Sequence, residues 1–225
     1  MRPVVFVGPS IDADTVRGAI DAEVLPPVRR GDIEELFRRA DPPSQVGIVD
    51  GVFLQGLAVS PKEILTEIEH RDVVFFGSSS MGALRAAELA GYGMVGVGEI
   101  FRRYHEGELD ADDEVAITFD AESLRPMSEP MVNIRIAVEA AVGRGVVTAT
   151  TADTAIAAAK DLYFPDRTYA NLLRVLDGRV DGSELAALRA FLLDDPPNAK
   201  RDDALALLAA IRTATERGDR PYPAS

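Results

Sequence analysis

A short polar turn, Ser78-x-Ser80-x-Gly82, stands between a predicted strand and a predicted helix. Residues 73–76 are apolar and rich in β-branched and aromatic types, whereas the segment after Ser80 is made of strong helix formers. This arrangement resembles a nucleophile elbow, in which small flanking residues allow a strained turn to expose a hydroxyl above a helix N-terminus. The amides of Met81 and Gly82 could then bind an oxyanion. The alternative is a turn in which the serines only cap the helix.

Strands and helices that alternate along the first half of the chain must position this turn. Strands are predicted at residues 4–7, 45–49 and 73–76, with a further strand or extended segment at 24–28, and helices at 14–20, 32–39, from residue 60 onward and at 99–104. This alternation predicts a parallel sheet. Ligands bind open α/β sheets at the carboxyl ends of their strands, and Ser10, Asp50, Lys62 and Ser80 all lie on the loops or helix starts at that edge.

The predicted fold class is therefore α/β, with a parallel, Rossmann-like sheet, helices on both faces and an all-helical C-terminal extension. Residues 93–98 are interpreted as a tight connection. The extension is predicted to contain helices at residues 128–142, 151–163, 166–176, 183–193 and 201–212. The predicted domains are an α/β core of residues 1–125 and a helical region of residues 126–225.

Composition limits the classes of partner. The chain has 225 residues, a formal net charge of −13 and no cysteine. The acidic balance argues against nucleic-acid binding, which needs a basic patch. The absence of cysteine excludes disulfides, thiolate ligands and a persulfide carried on this sequence. No signal peptide or membrane-spanning segment is recognised, so the cytoplasm is the expected location.

A family resemblance covers roughly the first half of the chain. The segment Ser80-Met81-Gly82-Ala83-Leu84-Arg85-Ala86-Ala87-Glu88-Leu89 is similar to the signature of TfuA-like proteins. Other matching pieces follow in the same order: Val5-Phe6-Val7-Gly8-Pro9-Ser10, Gly31-Asp32-Ile33, Ile48-Val49-Asp50-Gly51-Val52-Phe53, Lys62-Glu63-Ile64-Leu65, residues 93–101, Tyr104 with Gly107, and Asp112-Asp113-Glu114-Val115-Ala116.

This resemblance implies a role in making backbone thioamides beside a YcaO enzyme, which activates an amide with ATP. It further implies a ThiS-like carrier whose C-terminal glycine bears a thiocarboxylate, which the TfuA-like protein hydrolyses to release sulfide for YcaO. The expected class is a serine-type thiocarboxylate hydrolase of RiPP biosynthesis that uses no cofactor. The alternative is a non-catalytic adaptor or an allosteric activator that docks the carrier onto YcaO.

The expected catalytic set is Ser80 as nucleophile, Lys62 as base, Asp50 and Arg85. Lys62 is one of three lysines in a chain that otherwise uses arginine, and an amine can lose its proton when buried whereas a guanidinium cannot. A solvated lysine at a helix start is the alternative. Arg85 could bind a carboxylate tail or pair with Glu88. The expected substrate-binding residues are Ser10, Ser79, Met81, Gly82 and Glu88.

An acidic segment around Asp112 and Asp113 is a weaker candidate for a cation site, since carboxylate oxygens are ligands for hard cations. Its spacing does not match a calcium loop. A solvated acidic loop that leads into a strand at 115–119 is the alternative, and no metal is assigned.

Overall fold

The computed structural model describes residues 2–53, 56–120, 122–194 and 196–217. The contacts divide the chain into two compact units. The sheet unit consists of residues 1–110 and 200–225, and the helical unit consists of residues 111–199.

The sheet unit is an α/β structure around one parallel sheet. In its described part the strands are β1 (Val4–Phe6), β2 (Glu23–Leu25), β3 (Gln45–Ile48), β4 (Val74–Ser78) and β5 (Val95–Val97), and the helices are α1 (Ala13–Ala19), α2 (Asp32–Phe37), α3 (Pro61–His70), α4 (Met81–Leu89) and α5 (Glu99–His105). The strand order is β2-β1-β3-β4-β5, and every pairing is parallel. The predicted α/β fold class is confirmed.

Helices cover both faces of the sheet. On one face Phe75 packs against Phe37 of α2, with ring centroids 5.9 Å apart. On the other face Val5 and Phe76 share a buried cluster with residues of α1 and of a helix near the end of the described chain, α10 (Ala199–Arg217). Alternate residues of a strand point to opposite faces, which explains why Val4, Val5 and Phe6 of the central strand β1 are all apolar and buried.

Local sequence signals fix the helix starts. Ser60 and Glu63 form a reciprocal capping box at the start of α3, with Pro61 at the first helical position. Asp12 caps α1 by accepting a hydrogen bond from the Thr15 amide. These are the residue types that satisfy the first amides of a helix.

The helical unit begins with a 3-10 turn, Asp112–Glu114. Its helices within the described residues are α6 (Met131–Gly143), α7 (Ala149–Asp161), α8 (Tyr169–Leu176) and α9 (Gly182–Asp194), which bury one apolar cluster. The all-helical C-terminal segment is therefore confirmed. The contacts group α10 with the sheet, because its buried Leu207 and Ile211 pack on Gly47 of β3.

Two local predictions are wrong. Residues 93–98 contain β5, which pairs with β4 through Phe76 and Val95. Glycines at positions 93, 96 and 98 interrupt this segment, so it contains no apolar run long enough to signal a strand. The predicted strand at 115–119 is absent from the described structure; Val115 and Ala116 are buried residues after the 3-10 turn, and Phe119 forms only an isolated bridge to Pro126.

Candidate functional site

The site lies at the carboxyl edge of the sheet, where strand order reverses. From β1 the chain places β2 on one side and β3 on the other, so the gap between β1 and β3 is the topological switch point. Ligands of doubly wound sheets bind at such a point. Ser10 follows β1 and Asp50 follows β3, so both residues lie at this edge, as the sequence predicts.

A buried carboxylate joins these two loops. Asp50 is 2% exposed, and its Oδ2 accepts hydrogen bonds from the amides of Gly8 (2.8 Å) and Ser10 (3.1 Å). Its Oδ1 accepts from the Ser10 hydroxyl at 2.6 Å. A buried carboxylate requires such donors, because burial without them strongly disfavours the charge. Asp50 therefore holds the β1–α1 loop against the end of β3.

The serine turn between β4 and α4 contains three hydroxyls in different environments. Those of Ser78 and Ser79 are buried and donate, each at 2.8 Å, to the carbonyl oxygens of Asp203 and Lys200. Ser79 also has a positive φ of 68°, which is uncommon for a residue with a side chain. The Ser80 hydroxyl does not cap α4. The hydroxyls of Ser78 and Ser79 therefore stabilise the fold, whereas Ser80 lies at the start of α4.

The backbone of this turn is fixed against β3. The amides of Ser80 and Gly82 both lie 3.3 Å from the carbonyl oxygen of Val49, the residue before Asp50. Gly82 therefore directs its amide toward β3, and Met81 packs its side chain against Gly51. The Met81 amide is the first of α4, and the first amides of a helix lack an intrahelical acceptor. The turn that contains Ser80 is thus held against the residue that precedes Asp50.

Lys200, which the sequence reasoning did not select, also lies at this site. It is 3% exposed, and its Nζ lies 4.0 Å from Oδ1 of Asp50. Lys200 lies 120 positions after Ser80 in the sequence and is the second residue of α10. The rarity of lysine is the signal that the sequence offers for this residue, but the sequence predicts its helix as part of a separate helical region.

Asp203, one turn further along α10, caps helix α5. Its two carboxylate oxygens accept hydrogen bonds from the amides of Glu99 (2.9 Å) and Ile100 (2.8 Å). Burial raises the pKa of Asp203, and the two amide hydrogen bonds offset part of that increase. Gly98 precedes this helix with a φ of +96°, and a Cβ there would collide with the Asp203 carboxyl group. Asp203 therefore joins α10 to the β5–α5 turn.

Lys62 and Arg85 have environments unlike those expected of a buried base and a tail-binding residue. Lys62 is exposed in the first turn of α3, so the predicted burial is not observed. Arg85 donates from Nε to the carbonyl oxygen of Val59 at 2.9 Å and from Nη1 to both carboxylate oxygens of Glu88. Of the two roles considered for Arg85, the structure contains the pairing with Glu88, and this arginine also anchors the segment before α3.

The acidic segment of the helical unit is engaged with basic side chains. Asp113 contacts Lys160 at 2.7 Å and Arg167 at 3.3 Å, and Glu114 contacts Arg135 at 2.9 Å. Burial opposes ionisation of Asp113, but the hydrogen bonds from Lys160 and Arg167 outweigh it and lower its pKa. Asp112 is exposed. These ion pairs explain why acidic residues cluster at this position.

Across the described ranges, no group of three or more histidine, cysteine, aspartate or glutamate side chains is arranged to hold a metal ion. Both histidines are exposed: Nδ1 of His70 lies 2.8 Å from the carbonyl oxygen of Thr66, and His105 stacks on Phe101. In the same part of the chain, no helix is both long enough and apolar enough to span a bilayer.

Comparison with known families decides the assignment. The family model described as TfuA-like protein matches residues 50–168, which is more than half of the chain. The chain belongs to the TfuA-like family. This family is associated with YcaO-type thioamidation. None of the curated proteins matches the chain. The matched region of this TfuA-like protein includes Asp50, Ser80 and Arg85 but neither Ser10 nor Lys200.

Proposed function

We propose that this TfuA-like protein is the partner of a YcaO enzyme in peptide-backbone thioamidation and that it hydrolyses a thiocarboxylated, ThiS-like carrier to release sulfide. The observation that carries the hydrolytic role is the position of Ser80 at the start of α4, where its amide is hydrogen-bonded to the carbonyl oxygen of Val49, the residue before the buried Asp50. Family membership supports the partnership with YcaO.

In the proposed reaction, Ser80 Oγ attacks the thiocarboxylate carbon, and the hydroxyl proton passes to the departing sulfur. The C–S bond breaks, sulfide leaves, and the carrier remains as an ester on Ser80. Water then cleaves this ester, so that one thiocarboxylate and one water become one carboxylate and one hydrogen sulfide. The Met81 amide, at the N-terminus of α4, is the group proposed to stabilise the oxyanion, because helix N-termini favour negative charge.

The composition of the chain fits a route in which sulfur never becomes attached to it. The sequence contains no cysteine, so it offers no thiol for a persulfide. A serine hydrolase needs none, since its covalent intermediate is an acyl ester.

Mass spectrometry of the carrier tests this proposal. A thiocarboxylated ThiS-like carrier is incubated with the wild-type protein, with Ser80→Ala and with Ser183→Ala, a change at an exposed serine of the helical unit. We expect the wild type and Ser183→Ala to convert the thiocarboxylate to a carboxylate without YcaO, and Ser80→Ala to leave it intact. Equal conversion by Ser80→Ala would exclude Ser80 as the nucleophile.

A second candidate is a non-catalytic adaptor or activator that docks the carrier onto YcaO. One observation favours it: both histidines are exposed and contact other residues, since His70 lies against the Thr66 carbonyl oxygen and His105 stacks on Phe101, so neither is placed as a base for Ser80. An adaptor should bind the carrier and YcaO together, leave the carrier uncleaved, and keep its stimulation of YcaO in Ser80→Ala.

A further inference from the structure

We propose that the loops after β2 and β3, with the start of α3, form a docking surface for the carrier protein, which binds there through acidic and apolar side chains around its C-terminal tail. The inference deepens the proposed function and rests on it for the identity of the partner. This basic loop surface consists of Arg29, Arg30, Phe53, Leu57 and Lys62.

Backbone hydrogen bonds join the two loops that make the surface. The amide of Arg30 donates to the Leu57 carbonyl oxygen at 2.8 Å. The amide of Val52, the residue before Phe53, donates to the Val28 carbonyl oxygen at 3.0 Å. The residues of the basic loop surface therefore lie on one continuous face of the sheet unit, although more than 20 positions separate Arg30 from Phe53 in the sequence.

Glu63 joins the start of α3 to the same loops. Its Oε2 accepts a hydrogen bond from the Gly31 amide at 2.7 Å, and its Oε1 accepts one from the Ser60 amide at 3.0 Å. Lys62 is the residue before Glu63 and is exposed. The helix start that contains Lys62 is therefore held against the loop after β2.

The basic loop surface adjoins the candidate site. The amide of Val28, the residue before Arg29, donates to the Asp50 carbonyl oxygen at 3.0 Å, and Val28 forms an isolated parallel bridge with Gly51. These contacts lie at the carboxyl edge of the sheet, the same edge at which Ser80 precedes α4. A protein docked on this surface can therefore extend its tail along that edge.

The exposed charges of the surface are opposite in sign to the net charge of the chain. The chain has a formal net charge of −13, whereas Arg29, Arg30 and Lys62 are exposed cations. The carboxylates of Asp32 and Glu63 accept hydrogen bonds from backbone amides of these loops. Complementary charge speeds the encounter of two proteins and selects between partners. A carrier whose tail ends in a thiocarboxylate anion, with acidic side chains around it, is complementary to this surface.

Two exposed apolar side chains lie among these cations. Leu57 is 50% exposed and Phe53 is 36% exposed. Aromatic residues and arginine are enriched where proteins contact each other. A small anion would leave Leu57 and Phe53 in water, whereas a docked protein would cover them and gain from the apolar area that it buries. The combination therefore fits a protein partner.

Calorimetric binding of the carrier to charge-reversed variants tests the surface. The ligand is the ThiS-like carrier ending in an ordinary carboxylate, which cannot be hydrolysed. Arg29→Glu/Lys62→Glu should weaken binding at least about tenfold in low salt, because both cations become repulsive to an acidic partner. Arg179→Glu/Arg189→Glu makes the same change in net charge at exposed arginines of the helical unit and should weaken binding less than about threefold. High salt should reduce the difference between the two variants.

The apolar part of the surface is tested with a separate pair of variants. Leu57→Ser should weaken carrier binding about fivefold in low and high salt alike, since lost apolar burial is not screened by salt. Leu193→Ser changes a leucine of the helical unit that is 57% exposed, and it should leave the affinity unchanged.

The variants should keep the urea-unfolding midpoint of the wild type, because substitutions at exposed positions are usually tolerated. If the charge reversal unfolds the protein, Arg29→Gln/Lys62→Gln replaces it and should weaken binding about threefold. Equal losses of affinity in the two charge-reversed variants, an unchanged affinity in Arg29→Glu/Lys62→Glu, or no binding by the wild type would overturn the inference. Binding that depends on this surface, without hydrolysis of the thiocarboxylated carrier by the wild type, would instead reject the hydrolytic proposal and leave the docking surface standing.

Discussion

The three serines of the β4–α4 turn differ in what their hydroxyls contact. Ser78 and Ser79 donate to carbonyl oxygens of α10 and are fully buried. Ser80 is 7% exposed and leaves its hydroxyl outside the cap of α4. The alternative in which the serines only cap the helix therefore does not describe this turn. This contrast is the residue-level reason for selecting Ser80 as the nucleophile in the proposed reaction.

Asp50→Asn should destabilise the protein by about 1–3 kcal/mol, the usual cost of disturbing a buried hydrogen-bonded group. The carboxylate accepts from two amides and from the Ser10 hydroxyl. An asparagine keeps one acceptor oxygen and replaces the other with a donor, so the charge-assisted set cannot be reproduced. Urea unfolding measures the loss.

A matched control for this change is Asp120→Asn. Asp120 is exposed and accepts from the amide and hydroxyl of Ser123 at 2.8 and 2.7 Å. We expect it to cost no more than about 0.5 kcal/mol, because water can replace these bonds. Equal losses of unfolding free energy in the two variants would show that the burial of Asp50 adds nothing to its contribution to stability.

At this scale the sequence predicts part of the site. Ser10, Asp50 and Ser80 come together because all three follow parallel strands, a relation that topology alone provides. Topology does not predict in the same way whether a lysine is buried. Lys62 follows strand β3 and is exposed, whereas Lys200 lies far along the chain and is buried. Only the packing of α10 on the sheet makes that difference.

Helix α4 approaches β3 and β4 more closely than any side chain at these contacts would allow. A Cβ on Gly82 would lie 1.8 Å from the Ile48 carbonyl oxygen, and a Cβ on Gly77 would lie 2.2 Å from the Gly82 carbonyl oxygen. Gly82→Ala should therefore cost about 3 kcal/mol or more, since backbone rather than a flexible side chain must move. Thermal unfolding measures this loss of stability. The rate of carrier hydrolysis should also fall in Gly82→Ala, because Ser80 moves with α4.

Gly143→Ala is the control for an added methyl group in a helix. Gly143 ends α6, and a Cβ at this position would have no atom within 4 Å outside its own helix backbone and chain neighbours. We expect no loss and a gain of up to about 1 kcal/mol, since alanine restricts the unfolded chain. A comparable loss of stability in both variants would indicate that an added methyl group is unfavourable in either helix. The close contact between α4 and β3 would then not be the cause.

Helix α5 provides a pH-dependent contribution through Glu99. The hydrogen bond from Arg102, assisted by Arg103, lowers the pKa of Glu99 from 4.5 to about 2. A lowered native pKa means that the stabilisation is complete above pH 4.5 and is lost as the pH falls toward 2. The difference in unfolding free energy between wild type and Glu99→Gln should therefore shrink in that range. Because the Glu99 side chain is 41% exposed, we expect less than about 1 kcal/mol at pH 7.

Urea unfolding of both proteins from pH 7 downward, in low and high salt, measures this difference. Added salt should reduce it at pH 7, since exposed ion pairs are screened. A difference that stays constant down to about pH 3 would contradict the assignment, because the native pKa of Glu99 would then not control it.

In the whole molecule, elements that are neighbours along the chain do not always pack together. Alternating strands and helices predict the parallel sheet, and periodic apolar residues predict the C-terminal helices, because both signals are local. The partner of a given helix is not a local property. α10 resembles the helices before it in sequence, yet its Leu207, Leu208 and Ile211 are buried in the cluster on the sheet. Gly47 of β3 leaves the space that this packing needs.

Removing α10 should therefore unfold the sheet unit. The three large apolar residues Leu207, Leu208 and Ile211 contribute roughly 5–9 kcal/mol at about 1.5–3 kcal/mol each, which is similar to the entire stability of a typical domain. A chain ending at residue 198 should lose cooperative unfolding and amide-exchange protection in β1, β3 and β4. A chain ending at residue 217 keeps all of α10 and should retain both. Protection of β3 in the shorter chain would mean that the sheet and helices α1–α5 suffice for the fold, and that α10 serves the site alone.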